Sequence, residues 1–193
     1  MSRIALFHSV LGVRPGMTDA ADRLRQSGHV VTVVDQYDGR SFDDYEAAGA
    51  FAAEIGFPEL MRRALDGVGA LDDGFVAMGF SNGGGMATYV ATQRLLSCAI
   101  LCSGALPLGR IGAERWPTGV PVQLHYTAGD PFKTPGSVDS VMASVNVAGA
   151  AAEYHQYPGF GHLFTDPSMT DEFDGRASDQ LWAHVERFIA ANT

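Results

Sequence analysis

Six short apolar runs, most of them followed by a stretch with helical spacing, recur along the chain, and this alternation restricts the fold more than any other feature. The runs lie at residues 3–8, 29–34, 75–78, 97–102, 120–127 and 153–157. Several are apolar almost throughout, as strands covered on both faces are. Helical periodicity occupies residues 15–26, 42–67, 82–93, 135–147 and 177–190. Pro15 suits a first helical turn and Gly28 an exit, while Gly56 and Pro58 divide residues 42–67 into two pieces. Strands joined by helical crossovers imply an α/β fold: a mostly parallel sheet of about six strands with helices on both faces. Ligands bind such sheets beyond the carboxyl ends of the strands. The polar residues that follow each strand are therefore the informative ones.

A length of 193 residues with 46% hydrophobic and 18% charged content suits a single globular domain spanning 1–193. Its first residues, Met1 to Phe7, are too short an apolar stretch for a signal peptide, and no run approaches the ~20 residues of a membrane span. The expectation is a cytoplasmic protein with no membrane partner. Cys98 and Cys102 would share one side of a strand, too far apart to pair, which suits reduced thiols. No Cys or His spacing matches a zinc site, so no metal is expected. A net charge of −9 and a single lysine, Lys133, argue against nucleic acid, since phosphate contacts need clustered cations.

The third run leads into Gly79-Phe80-Ser81-Asn82-Gly83, a G-x-S-x-G sequence placed between strand and helix. A serine on that sharp turn has its hydroxyl exposed above the sheet edge. The hydroxyl is a weak nucleophile until a base takes its proton. Histidine has a suitable pKa, and a buried carboxylate fixes its tautomer. Asp130 follows the fifth strand and His162 the sixth, so nucleophile, acid and base arrive in the order Ser81, Asp130, His162 at one sheet edge.

Rival readings exist for each. Asp130 before Pro131 also suits a turn, and His162 a loop histidine bonded to backbone. Asp35 competes as the acid but precedes the serine, and Asp139 falls within a helix. His8 ends the first strand and can shape the site, whereas His29, His125, His155 and His184 lie on strands or the last helix. The oxyanion donors in this arrangement would be the backbone N–H groups of Asn82 and Val10. No G-x-G-x-x-G follows the first strand and no phosphate-loop motif occurs, so no cofactor is expected.

Together, residues 8–16, 34–39, 79–84, 128–131 and 158–164 resemble the dienelactone hydrolase family of α/β-hydrolases over most of the chain. The resemblance implies a compact hydrolase without a large cap domain, with a nucleophile–Asp–His triad and ester, lactone or related acyl substrates. Dienelactone-cleaving members carry cysteine at the place of Ser81, glutamate apparently at that of Ser9, and a carboxylate-holding arginine just beyond the histidine. Here that last stretch is Leu163-Phe164-Thr165-Asp166, and an acid there would repel an anionic lactone. The chain is more similar to a shorter, serine-bearing branch.

The function expected is a serine hydrolase, esterase-, lactonase- or thioesterase-like, taking a small, neutral or weakly polar acyl substrate. Ser9, Tyr37, Phe80, Phe132 and Phe160 are candidates for its pocket, although packing explains aromatic residues equally well. An acyltransferase using the same triad, or a silent hydrolase fold kept as a binding module, are the alternatives. Residues 42–67 could serve as a partial lid.

Overall fold

A computed structural model describes residues 1–193. Its six strands are β1 (Arg3–Phe7), β2 (Val30–Val34), β3 (Phe75–Phe80), β4 (Leu96–Cys102), β5 (Val122–Thr127) and β6 (Ala152–Tyr157). They form one sheet in the order β2-β1-β3-β4-β5-β6, every pair parallel. The helices are α1 (Pro15–Gln26), α2 (Tyr45–Ile55), α3 (Phe57–Gly67), α4 (Asn82–Gln93), α5 (Ser137–Val147) and α6 (Gly175–Asn192). This is the α/β architecture expected, without a cap domain.

Strand alternation divides the core in two. Ala5, Phe7, Phe75, Ala77, Ala99 and Leu101 face a layer that includes α3, α4 and α5. Ile4, Leu6, Val76, Met78, Cys98, Ile100 and Cys102 face α1 and α6. The central strands are buried on both sides, which is why they read as continuous apolar runs. Cys98 and Cys102 share the α6-facing side as unpaired thiols.

Local chemistry sets the boundaries. Asp44 caps α2 by accepting from Ala47 N–H at 2.8 Å, and Asp174 caps α6 by accepting from Ala177 N–H at 3.0 Å. The second cap starts α6 two residues before the periodicity suggested. Gly56, at φ 84°, and Pro58, in the first turn of α3, separate α2 from α3 as expected. A short 3-10 helix at Leu108–Ile111 carried no periodic signal. No helix is long and apolar enough to cross a membrane.

Candidate active site

Ser81 stands between β3 and α4 at φ 53°, ψ −119°, a region costly for a residue with a side chain. Such strain costs on the order of 1–3 kcal/mol and persists only where the surroundings enforce it. Its N–H donates to the Cys102 carbonyl at 2.7 Å, and its carbonyl accepts from Gly84 N–H at 2.9 Å. Close approach of bare backbone completes the enforcement. A Cβ on Gly83 would lie 2.2 Å from the Phe7 carbonyl oxygen, and one on Gly104 would lie 2.2 Å from that of Ser81. Gly83 therefore lets the first turn of α4 sit against the end of β1, and Gly104 lets the loop after β4 support the serine from the other side.

Across this turn, His162 Nε2 lies 2.7 Å from Ser81 Oγ. His162 Nδ1 lies 2.9 Å from each oxygen of Asp130, which also accepts from Phe132 N–H at 2.9 Å. Asp130 and His162 are buried. With a carboxylate at Nδ1, that nitrogen carries the proton and Nε2 is left to accept from the serine hydroxyl. Asp35 is occupied elsewhere, accepting from Tyr37 N–H and Gly39 N–H.

His8 is fully buried, with Nδ1 donating to the Ser9 carbonyl at 2.6 Å and Nε2 accepting from Gln36 N–H at 3.0 Å. Both nitrogens are engaged, Nε2 in tying the end of β1 to the residue after Asp35, and burial holds its pKa below the usual histidine range. His8 is thus a neutral structural residue.

A cavity of about 290 Å³ opens beside Ser81 and His162. Val10, Tyr45, Phe57, Leu106, Tyr126 and Phe132 supply most of its apolar wall, and no lysine, arginine, aspartate or glutamate lines it. Tyr45 and Gly49 of α2 and Phe57 of α3 reach the cavity, so residues 42–67 form one of its walls. Val10 N–H has no acceptor within the chain, and Asn82 N–H belongs to the first turn of α4, where amides lack intrahelical partners.

The structure rearranges the expected pocket. Phe132 belongs to it, with its ring 4.7 Å from that of His162. Phe80 does not: it is on the same side of β3 as Val76 and Met78 and packs near Trp182. Tyr37 does not line the cavity and is buried among His8, Phe42 and Phe51. Phe160 is 81% exposed and leans on Gly129 outside the cavity. Ser9 turns its hydroxyl to Leu11 N–H at 3.2 Å and lines a separate small crevice. Asp166 borders that same crevice, near Arg14 and bonded to Ser168, and so does not oppose an anion in the main cavity. Adjacency to a strand end marked each of these residues, but adjacency does not reveal which face a side chain takes. Ser103 was missed; its only sequence signal was its place directly after an apolar run, like that of Ser81.

A parallel sheet with a serine on the turn after β3, an acid after β5 and a histidine after β6 defines the α/β-hydrolase class. The chain belongs to the dienelactone hydrolase family, whose model matches residues 2–192, and is a hydrolase. No curated protein matches it in sequence. Among solved structures it is similar to a dienelactone hydrolase-like promiscuous phosphotriesterase from metagenomic libraries, at 21% identity and a TM-score of 0.81, covering 100% of this chain and 87% of that one. It is also similar to esterase PE8 (19%, TM-score 0.66, 100% and 93% covered). A third likeness is to the RedJ thioesterase of prodiginine biosynthesis in Streptomyces coelicolor (16%, TM-score 0.58, 96% and 89% covered). At these identities the likeness is one of fold.

Proposed function

We propose that the protein is a serine carboxylic ester hydrolase that cleaves small, uncharged acyl substrates. The observation carrying this reading is the continuous contact from Ser81 Oγ through His162 to Asp130, at 2.7 and 2.9 Å. His162 Nε2 takes the hydroxyl proton as Ser81 Oγ attacks the acyl carbon, and Asp130 stabilises the imidazolium that forms. Negative charge then develops on the former carbonyl oxygen. Val10 N–H and Asn82 N–H are the donors available for it; losing one such donor typically costs about 2.7–4 kcal/mol of transition-state stabilisation. His162 returns the proton to the leaving group, and the acyl-enzyme is hydrolysed by a water that His162 deprotonates.

Esterase and thioesterase activities named for similar folds support the reaction class. The uncharged lining supports neutral substrates, because a carboxylate on the acyl group would lose its hydration without gaining a cation. A fluorophosphonate probe tests the reading. It should label the wild-type protein and not Ser81→Ala, and p-nitrophenyl esters should turn over with the same dependence. Lack of labelling in folded wild-type protein refutes it.

A further inference from the structure

Two polar groups in the cavity wall remain without partners. Asn82 Nδ2 and Ser103 Oγ are buried and make no hydrogen bond, although both residues line the cavity. Three side chains beside them are engaged: Tyr45 Oη donates to Glu172, Tyr126 Oη accepts from Ala105 N–H, and Ser81 and His162 bond each other. A buried donor left unsatisfied costs about 1–3 kcal/mol, so native proteins keep few of them. Of the five side-chain atoms orphaned in this way, only these two belong to residues that line the cavity beside the nucleophile, where an atom of a bound ligand supplies the partner that the chain does not.

Their position narrows what that atom is. Phe80 pairs with Cys102 in the β3–β4 register, so Ser81 and Ser103 are neighbours across the sheet edge, one strand spacing (about 4.8 Å) apart. Both stand at positive φ, 53° and 52°, so both leave their strands by the same backbone device. Ser81 has a base; Ser103 has none, because nothing bonds its hydroxyl, and only its backbone N–H is engaged, on the His125 carbonyl at 2.7 Å. Ser103 is only 7% exposed and supplies a hydroxyl, donor and acceptor, while Asn82 Nδ2 supplies a donor. Neither carries charge.

Resting on the hydrolase reading above, we infer that Ser103 and Asn82 form a subsite for a neutral oxygen, hydroxyl or keto, within two carbons of the reacting carbonyl. The preferred substrates are hydroxyacyl or oxoacyl esters and thioesters over their deoxy counterparts. A substrate hydroxyl accepts from Asn82 Nδ2 and donates to Ser103 Oγ; a keto oxygen accepts from both.

The test is the ratio of kcat/KM for p-nitrophenyl 3-hydroxybutanoate and 3-oxobutanoate to that for the butanoate, with lactate against propanoate as the 2-hydroxy pair. One hydrogen bond of this kind corresponds to about tenfold. The wild type should favour at least one oxygenated ester by tenfold or more, and Ser103→Ala and Asn82→Leu should each bring that ratio down about tenfold. Because the ratio is internal to each preparation, partial misfolding of a variant cancels. Equal turnover of oxygenated and plain esters by the wild type overturns the subsite and leaves the hydrolase standing, as does a ratio that neither variant changes. Turnover of no ester, with Ser81 unlabelled by fluorophosphonate, overturns both.

Discussion

Tyr45 Oη donates to Glu172 Oε1 at 2.8 Å, and the other oxygen of Glu172 accepts from Leu163 N–H at 2.6 Å. One carboxylate thereby joins the start of α2, a wall of the cavity, to the residue after His162. Burial, followed by the Glu172 carboxylate, pushes the Tyr45 hydroxyl far above its usual range, so it stays a donor at any working pH. Tyr45→Phe removes this donor and keeps the ring. Urea unfolding should show a loss of about 1.5–3 kcal/mol, the usual range for a hydrogen bond to a charged group. Ester kinetics should show a raised KM as the wall loosens, with kcat changed less. An unaltered unfolding midpoint would refute the tie.

Asp130→Asn tests the acid. The amide accommodates the same space but no longer fixes the Nδ1–H tautomer or stabilises the imidazolium, and an equivalent change in a serine triad lowers kcat on the order of 10⁴-fold. Steady-state kinetics with a p-nitrophenyl ester should show a loss of that order with little change in melting temperature. A loss below tenfold would assign the acid's role to another group.

Gly104→Ala would force a methyl group to 2.2 Å from the Ser81 carbonyl, against backbone that has no room to shift. Overpacking of this kind costs about 1–3 kcal/mol, and the serine must move in response. Gly109, with open space around its Cα, is the control. Calorimetry and esterase assays should show Gly104→Ala less stable and nearly inactive, and Gly109→Ala close to wild type.

Acid should destabilise the fold before it strips charge from most carboxylates. His125 is buried, its Nε2–H donating to Gln123 Oε1 at 2.9 Å and its Nδ1 accepting from Tyr157 Oη at 2.8 Å. The Gln123 amide is oriented for this by donating to Glu153 at 2.8 Å. Burial, and then repulsion from His155 and His184 stacked alongside, hold the His125 pKa well below 6.5. Burial likewise lowers that of His8. Between the folded and unfolded pKa the unfolded chain binds more protons, so this stability is complete above about pH 6.5 and is lost as pH falls below it. Melting temperature should be level from pH 8 to 7 and then fall, by about 2–4 °C for each 1 kcal/mol. A flat profile down to pH 5 would contradict the assignment.

The two thiols should be inert. Burial pushes Cys98 up to about 12 and Cys102 higher still, leaving almost no thiolate at neutral pH. Iodoacetamide at pH 7.5 should leave both unmodified in native protein and alkylate both in guanidinium, as read by intact-mass spectrometry.

The elements most legible in the sequence were those with one dominant period. Residues 82–93 form α4 as the spacing predicted, and Gly56 with Pro58 divided α2 from α3 as their chemistry required. Residues 103–119 carried no period, and there the sequence offered no means of placing Ser103 or the short 3-10 helix. The chain order of Ser81, Asp130 and His162 was informative because parallel strands deliver their following loops to one edge. The pocket was legible only in part. Phe80, Tyr37 and Phe160 lie as near the edge in sequence as Phe132 does, but strand alternation and loop direction send them into the core or out to solvent.

The uncharged cavity also bears on what happens after the bond is cleaved. In the proposed reaction a neutral ester becomes a carboxylate, within a protein of net charge −9 and beside walls that contain no lysine or arginine. Unlike the oxyanion, which has Val10 N–H and Asn82 N–H as donors, the carboxylate product of that reaction is disfavoured here by lost hydration and by the surrounding field. On that reading the absence of charge that suits the substrate also favours release, and free acid should be a poor competitor for the emptied site.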